Sequence, residues 1–553
     1  MQRYEQQLEL FAIKPRRLDL MNILDINIEL QNKTINVWRN HAFEYLVSII
    51  KPYAMFGKWS PNWRIYDYDD SLSFFDYKDA DLDLVWLDSN RFRDVDDEYW
   101  AIWLEGRLRI LRGLSVKPII LATWARHHQL CTRIADFVGN IPGVYWADLA
   151  QACEKDAVDL IDQRTAVVSG TPISAVAQVM IARRLACHWL PATLFPALKA
   201  VAVDLDNTLY RGILGEDGAQ GVELTTAHKE FQTDLKKLRE RGVFLVLISR
   251  NEAADVKALF EQRDDFPLRW ADFSNTQISW GEKADALASA ANALRISPDA
   301  ILFIDDNLGE LLNVATRLPT AYTAFAHDDA EATRNMLRFF PRLWRWSVDA
   351  EDAHRIDDLA ANETRAALVA EAHDPVAYFQ SLQVALHYRF DPLDQLSRLA
   401  ELCNKTNQFN LAMRRLSTAE VAERLANPEA AMISVQLKDR LSDSGVIAVM
   451  AVHREGHQLI VEELCISCRA MGRHLEDSVI LGPLSRLELL DGCDDLVFEV
   501  RHGPRNQPAL DWLAGLLSLH DTPSPGRHSI PASRARLFNP HKGIHFSQID
   551  EAA

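Results

Sequence analysis

The chain has 553 residues and a formal net charge of −18, and 48% of its residues are hydrophobic. This length exceeds what one hydrophobic core usually supports, and the apolar content excludes an intrinsically disordered chain, so we expect about three folded domains. The acidic excess argues against a nucleic-acid-binding protein, whose affinity depends on lysine and arginine side chains that face phosphates. We therefore expect no nucleic acid among its partners.

The cysteines and the apolar segments indicate the cellular compartment in which we expect the protein. Seven cysteines scattered through a large chain favour reduced thiols over a disulfide framework. No uninterrupted apolar stretch approaches the ~18 residues of a membrane-spanning helix, and the N-terminus is not followed by the apolar region of a signal peptide. We expect a soluble, cytoplasmic protein with no membrane partner.

Residues 1–190 alternate between strand-like and helix-like runs. Residues 34–38, 83–87 and 117–123 have the composition of strands, and residues 95–114 have the periodicity of an amphipathic helix. This alternation predicts a parallel-sheet α/β domain similar to SGNH or flavodoxin folds. A serine-hydrolase interpretation lacks a Gly-Asp-Ser or Gly-x-Ser-x-Gly motif, and Ser89 is the nearest candidate nucleophile.

The second predicted domain, residues 191–350, is organised around the run 201–209, VAVDLDNTL. An apolar run that stops at two carboxylates predicts a buried parallel strand with Asp204 and Asp206 at its carboxyl end. Side chains alternate along a strand, so we expect both carboxylates to point the same way. Like charges this close repel unless a cation separates them, which indicates a divalent metal or a strongly raised pKa.

Three further polar residues follow apolar runs or a turn in the same region: Ser249 after 243–248, Lys283 after 280–282, and Asp305 after 301–304. The residue types suit phosphoryl transfer, with a nucleophile (Asp204), a general acid/base (Asp206), contacts to phosphate oxygens (Ser249, Lys283) and a magnesium site (Asp204, Asp206, Asp305). The sequence therefore predicts a Mg²⁺-dependent enzyme.

The order of these motifs resembles the haloacid-dehalogenase-like (HAD) phosphatase superfamily, whose D-x-D-x-T signature here ends at Thr208. Only 45 residues separate Asp204 from Ser249, and 34 separate Ser249 from Lys283. These intervals leave no room for the cap domain of many HAD enzymes, which implies a capless, Rossmann-like core. We expect an open site that suits a substrate carried on a large molecule.

Residues 204–218 resemble the FkbH-like subfamily, whose members prepare glyceryl units on acyl carrier proteins. Members usually show Trp-Gly-Gly where this chain has Tyr210-Arg211-Gly212, and Ser-Lys-Asn where it has Ser249-Arg250-Asn251. The first difference predicts an added charge, that of Arg211, beside the substrate. The second replaces lysine with Arg250, which keeps a positive charge but has a different shape.

The FkbH-like resemblance implies an enzyme that dephosphorylates 1,3-bisphosphoglycerate, a small phosphorylated three-carbon substrate. The glyceryl group is then loaded as a thioester on the phosphopantetheine arm of an acyl carrier protein, with Thr208 and Asn251 among the binding residues. One alternative is a stand-alone Mg²⁺-dependent phosphatase of a small metabolite. Another is a carrier-docking protein without catalysis, which the complete set of motif residues disfavours.

The third predicted domain, residues 375–553, resembles the GNAT acyltransferase fold, which is of the α+β class, followed by a C-terminal tail. Predicted strands 384–390, 432–437, 445–452 and 459–464 lead into a loop that contains Arg469, Gly472 and Arg473. In GNAT folds such a loop binds the pyrophosphate of coenzyme A at a helix N-terminus, which implies binding of the pantetheine phosphate here. A loop that only precedes an ordinary capped helix is the alternative.

Formation of a thioester requires sulfur, and residues 201–346 contain no cysteine. The attacking sulfur is therefore expected from the carrier's pantetheine or from a cysteine elsewhere in the chain, such as Cys468 or Cys465. These two residues form a lone C-x-x-C without the further ligands of a structural zinc site.

Overall fold

The computed structural model describes residues 2–25, 28–164, 169–347, 354–371, 375–539 and 541–548. The chain forms two compact units, Met1–Val348 and Asp349–Ala553. Among the described residues, no helix combines the length and apolar character needed to cross a bilayer.

The first unit contains two five-stranded sheets in which every strand pair is parallel. The first sheet has the order β2-β1-β3-β4-β5 and consists of β1 (Gln31–Arg39), β2 (Trp59–Tyr68), β3 (Leu82–Trp86), β4 (Ile119–Thr123) and β5 (Val144–Asp148). The second has the order β10-β9-β6-β7-β8 and consists of β6 (Ala200–Val203), β7 (Phe244–Ser249), β8 (Asn275–Ile278), β9 (Ile301–Asp305) and β10 (Tyr322–Phe325).

Helices connect these strands, as parallel pairing requires. Around the first sheet they are Gln2–Glu5, Gln7–Leu10, Arg17–Met21, Glu44–Phe56, Asp97–Leu114, His128–Gly139, Leu149–Lys155, Ala175–Arg184 and Leu190–Leu194. Around the second sheet they are Leu214–Gly221, Thr226–Glu240, Ala253–Gln262, Lys283–Ala293, Leu308–Arg317 and Ala330–Arg338. The predicted parallel α/β architecture is therefore present in this unit.

The two sheets of the first unit share one continuous group of buried apolar residues. The N-terminal helices contribute to this packing, because the Gln7 amide donates to the carbonyl of Phe325 (2.7 Å) and accepts from its N–H (3.0 Å). The Tyr4 hydroxyl lies 2.7 Å from Oγ1 of Thr323 on the same strand. Residues before 190 thus cover β10, the edge strand of the second sheet.

The second unit is built on a mixed sheet of order β17-β16-β15-β14-β13-β11-β18, with β12 paired to β15. Its strands are β11 (Ala385–Phe390), β12 (Phe409–Asn410), β13 (Ala430–Lys438), β14 (Asp443–Glu455), β15 (Gln458–Ile466), β16 (Asp495–Val500), β17 (Gly526–Pro531) and β18 (His545–Gln548). Its helices are His354–Glu371, Pro375–Leu382, Leu396–Lys405, Thr418–Leu425, Glu476–Leu484, Gln507–Leu517 and Ala532–Arg536. Antiparallel pairs dominate, as predicted for an α+β domain.

Two buried histidines make the first unit sensitive to acid. His188 stacks between Phe339 and Trp344, with its Nε2 3.0 Å from the carbonyl oxygen of Arg338, and burial lowers its pKa to about 3. Burial likewise lowers the pKa of His41 to about 3. Both side chains are neutral in the folded protein and gain protons on unfolding below pH ~6.5.

We therefore expect the stabilisation that these two neutral histidines contribute to be complete above pH ~6.5 and to fall towards pH ~4. The expected loss is about 1.4 kcal/mol per pH unit for each buried histidine. Denaturant titrations at several pH values measure this slope. His188→Phe keeps an aromatic ring between Phe339 and Trp344 and should lower the slope by one proton. Equal slopes in wild type and His188→Phe would contradict the assignment.

Candidate active site

The candidate active site lies at the carboxyl ends of three adjacent strands of the second sheet. Asp204 directly follows β6, while Ser249 and Asp305 are the last residues of β7 and β9. Lys283 begins the helix after β8. Parallel sheets present their ligand sites at this edge, and the position of β6 between β7 and β9 brings the three strand ends together.

Three carboxylates form a cluster at this edge. Asp204, Asp305 and Asp306 each place an oxygen within 4.8 Å of the others. Asp204 and Asp305 are buried, and Asp306 is half-buried. Burial and the charge of Asp305 raise the pKa of Asp204 well above its usual range, and the same two causes raise that of Asp306 to about 6. Carboxylate oxygens at this spacing fit a Mg²⁺ ion.

Lys283 bridges two members of the cluster. Its Nζ donates to Oδ1 of Asp204 at 2.8 Å and to Oδ2 of Asp305 at 2.7 Å. Burial acts to lower the Lys283 pKa, but attraction to Asp204 and Asp305 outweighs it, so the pKa lies above its usual value. The ammonium group therefore stays charged and holds the Asp204 side chain in place.

The Asp206 carboxylate, which the sequence predicts among the metal ligands, is not one of the three that converge in this cluster. Its Oδ1 accepts from the Tyr210 hydroxyl at 2.6 Å and from the N–H of Leu214 at 2.9 Å. Its Oδ2 accepts from Nδ2 of Asn251 at 2.8 Å. Because β6 ends at Val203, residues 204–206 lie beyond the strand, and strand alternation does not determine the directions of the Asp204 and Asp206 side chains.

Two residues that the sequence predicts to bind substrate lie beside Asp206. Asn251 Nδ2 also donates to Oγ of the buried Ser249 at 3.0 Å, so one amide joins Asp206 to the end of β7. Thr208 is buried, and its Oγ1 has no hydrogen-bond partner in the described part of the chain. A buried hydroxyl without a partner is costly, which makes Thr208 a candidate to bind a substrate oxygen.

The two differences from the FkbH-like pattern lie in the short segment after Asp206 and at the end of β7. Tyr210 is buried, and its hydroxyl donates to Asp206. The Arg211 side chain is exposed and pairs with Glu223 at 3.2 Å, so the added charge predicted beside the substrate lies on the surface. Arg250 pairs with Glu310 at 2.8 Å.

Between Asp204 and Lys283, all of which the structure describes, the chain forms crossover helices and strands and no separate cap domain. The segment that follows Asp206 closes on itself through Gly212, whose φ is 114° and whose N–H donates to Oδ1 of Asn207 at 3.0 Å. A side chain there would lie 2.6 Å from Oδ2 of Asp217, so only glycine fits.

Sequence reasoning missed Asp306 and Tyr210. Asp306 follows Asp305 directly at the end of β9, and this tandem of aspartates was the available signal. Tyr210 carried no such signal, because its contact with Asp206 depends on how the segment after the signature turns back.

The predicted pantetheine-binding loop of the second unit turns its arginines inward. Arg469 is buried, and its Nη2 donates to the carbonyl of Val446 at 3.1 Å. Arg473 is buried between Asp358 (3.1 Å) and Asp439 (3.2 Å). Gly472 is exposed with φ 74°, as a tight turn requires.

The helix after this loop, Glu476–Leu484, carries two acidic residues in its first turn, Glu476 and Asp477. These charges oppose binding of a phosphate at the helix N-terminus. Together with the inward-facing arginines, they favour the alternative in which the loop is structural.

The remaining candidate nucleophiles differ in accessibility. Cys465 lies on β15 and is fully buried, whereas Cys468 is half-buried beyond the end of that strand. Ser89 is fully buried, so it lacks the exposure that a serine nucleophile requires. Cys468 is the one of these three that an external acyl group can reach without local opening.

No family profile matches the chain, and no curated protein sequence shows significant similarity. Among solved structures, the N-terminal part of BF1531 from Bacteroides fragilis, which contains a phosphatase domain complexed with Mg, is 18% identical with a TM-score of 0.47. That likeness covers 62% of this chain and 99% of the other.

An uncharacterized protein from Corynebacterium glutamicum is 15% identical with a TM-score of 0.19, and the likeness covers 26% of this chain and 95% of that one. The glucosamine N-acetyltransferase region of a fungal multi-domain β-N-acetylglucosaminidase is 9% identical with a TM-score of 0.18, over 94% of this chain and 67% of the other. These scores lie below the range that establishes a shared fold, so the function proposed below rests on the geometry of the site.

Proposed function

We propose that the first unit is a Mg²⁺-dependent phosphatase of the HAD type that uses Asp204 as its nucleophile. The observation that carries this proposal is the cluster of Asp204, Asp305 and Asp306 with Lys283 at the carboxyl ends of β6 and β9. A Mg²⁺ ion held by the three carboxylates would neutralise charge on a phosphoryl group.

An Asp204 oxygen attacks phosphorus, so that an aspartyl phosphate forms as the substrate P–O bond breaks. Asp206 gives a proton to the departing oxygen and later takes one from the water that hydrolyses the aspartyl phosphate. Tyr210, Leu214 and Asn251 fix the Asp206 carboxylate for this exchange, since each donates a hydrogen bond to it. Thr208 and Ser249 supply hydroxyl groups for the phosphoryl oxygens.

We further propose that the substrate is 1,3-bisphosphoglycerate and that the glyceryl group is loaded on an acyl carrier protein. In this reaction a thiol attacks the acyl carbonyl, the C–S bond forms and the carboxyl-linked phosphate leaves. The remaining phosphate ester is hydrolysed through Asp204. The absence of a cap domain between Asp204 and Lys283 supports a substrate on a long arm, because such an arm can enter without displacing a lid.

Mass spectrometry of the carrier tests this assignment. The protein is incubated with Mg²⁺, 1,3-bisphosphoglycerate and a phosphopantetheinylated acyl carrier protein, and the carrier should gain the mass of one glyceryl group. Cys468→Ser distinguishes an enzyme-bound thioester from direct attack by the carrier thiol, with Cys493→Ser, at a buried position, as its control. Release of phosphate with no change in carrier mass would leave the stand-alone phosphatase as the function.

Removal of metal should abolish phosphate release, because the clustered carboxylates and the phosphoryl group would otherwise concentrate negative charge. We expect excess chelator to stop hydrolysis of a small phosphate ester, and added Mg²⁺ to restore it. Asp305→Ala should act almost as completely as the chelator. Asp285→Ala is the matched control, because Asp285 pairs with Arg317 on the surface of the same unit. Full activity in excess chelator would contradict the site.

A further inference from the structure

The loop of residues 279–282 forms part of the rim of the candidate active site. At its start the N–H of Ser279 donates to the carbonyl oxygen of Ser249 at 3.1 Å. Directly after it, Lys283 begins a helix and binds Asp204. All four residues of the loop are exposed. The part of a substrate that lies outside the phosphoryl site therefore passes close to this loop.

Trp280 is the large apolar side chain of the loop, and 69% of its surface is exposed. Its Nε1 donates to Oε1 of Glu252 at 2.8 Å. Glu252 directly follows Asn251, whose side chain donates to Asp206. One exposed apolar residue is ordinary on a protein surface, but this indole is anchored beside a residue that holds the proposed general acid and base. Its face is available to an apolar or amide group of a bound molecule.

Contacts with two other segments hold this loop in place. Arg250 donates from Nε to the carbonyl oxygen of Gly281 at 3.3 Å and pairs with Glu310 at 2.8 Å. Nδ2 of Asn313 donates to Oε2 of Glu282 at 2.9 Å. A rim that is already ordered loses little conformational entropy when it binds a ligand, so the indole is placed for recognition before the substrate arrives.

The rim carries negative charge beside Trp280. Glu252, which binds the indole, and Glu282, two residues after it, are both exposed. The neighbouring cations are already paired, Arg250 with a glutamate of the next helix and Lys283 with the site aspartates. These carboxylates oppose a second anionic group beside the phosphoryl group, but they do not oppose an uncharged chain.

The proposed reaction supplies a substrate that meets both conditions. Free 3-phosphoglycerate carries a carboxylate at the end opposite its phosphate, whereas after transfer to sulfur the same carbon belongs to an uncharged thioester. The amide and methyl groups of a pantetheine arm can pack on an indole face.

We propose that Trp280 contacts the thioester-linked arm of the substrate and that the carboxylates beside it disfavour free 3-phosphoglycerate. This inference rests on the function proposed above. Trp280 is then a specificity-determining residue, and hydrolysis of the phosphate ester follows thioester formation.

Phosphate release from three esters tests this inference. They are 3-phosphoglycerate, its thioester with pantetheine, and glycerol 3-phosphate, which has neither the carboxylate nor the arm. We expect the wild-type kcat/KM to be at least about tenfold higher for the thioester than for 3-phosphoglycerate. Trp280→Ala should lower kcat/KM for the thioester at least about tenfold more than for glycerol 3-phosphate, because only the thioester reaches the indole. Tyr99→Ala, at an aromatic residue with an exposed fraction of 66%, is the matched control and should change none of the three values.

A second variant tests the role of the rim charges. Glu252→Gln combined with Glu282→Gln should raise kcat/KM for 3-phosphoglycerate at least about threefold relative to the thioester, a modest gain because both charges are exposed. Glu261→Gln, at another exposed position of the same unit, should leave this ratio unchanged.

The outcomes separate this inference from the proposed function. Equal wild-type kcat/KM for the thioester and 3-phosphoglycerate would overturn the inference alone. So would a loss in Trp280→Ala that is no larger for the thioester than for glycerol 3-phosphate. If the wild type released phosphate from none of the three esters, the phosphatase assignment itself would fail, and this inference with it.

Discussion

Replacing Asp204 with asparagine should reduce hydrolysis of the phosphate ester by at least about 10⁴-fold, because the amide oxygen is a poor nucleophile for phosphorus. In the proposed reaction, thioester formation does not use Asp204, whereas hydrolysis of the phosphate ester does. Acyl transfer to sulfur should therefore continue in Asp204→Asn, and the carrier product should be heavier than the wild-type product by one phosphate. Phosphate assays and the intact mass of the carrier measure both effects. A dephosphorylated product formed at the normal rate would remove Asp204 from its assigned role.

Asp206→Asn should have a different signature from Asp204→Asn. Loss of a general acid and base costs about 10²–10⁴-fold in kcat, and the aspartyl phosphate should persist because water is no longer deprotonated. The intact mass of the enzyme should then show one added phosphoryl group after mixing with substrate. Asp255→Asn, at an exposed position of the same unit, should change neither quantity.

Arg473→Ala should destabilise the second unit by about 3–5 kcal/mol, because it leaves buried carboxylates without a partner charge. Arg473 and Arg365 both pair with Asp358 and Asp439, at N–O distances from 2.9 to 3.3 Å, and all four side chains are buried. Removal of one cation leaves the two carboxylates with a single arginine. Denaturant unfolding monitored in the second unit measures the loss.

Arg440→Ala is the matched control, because Arg440 is exposed and follows Asp439 directly. It should change the free energy of unfolding by less than about 0.5 kcal/mol. Hydrolysis of a small phosphate ester should survive Arg473→Ala at temperatures below the unfolding transition. If Arg473→Ala impaired carrier loading while stability stayed unchanged, the residue would bind the carrier, as the sequence motif implied.

The sequence predicted the three central strands of the second sheet well, because β6, β7 and β9 are apolar runs that end in, or are followed directly by, a polar residue. Asp204, Ser249 and Asp305 lie at strand ends where this local pattern placed them. The orientation of Asp206 was not predictable in the same way, because it depends on the residue at which β6 ends and on three donors from other segments.

The other differences between the predicted and the observed structure arise from contacts between residues that are distant in sequence. Asp358 precedes Arg473 by 115 residues, and nothing near either residue indicates that they meet in a buried cluster. The glycine and arginine pattern around Arg473 therefore suggested an anion-binding loop. In the folded chain, the carboxylates of Asp358 and Asp439 already pair with this arginine. Arg211 is a similar case, because Glu223 pairs with it after the chain has turned back.

The contact of Gln7 with β10 affects how the second sheet, with the candidate site at its strand ends, can be isolated as a fragment. A fragment cut at residue 190 would lose the amide that occupies the N–H and carbonyl of Phe325, and the edge of its sheet would be open to other chains. Such a fragment would self-associate through β10 even though all its motif residues were intact. The smallest independent form of the proposed phosphatase is therefore discontinuous in sequence, because it must include the N-terminal residues that cover β10.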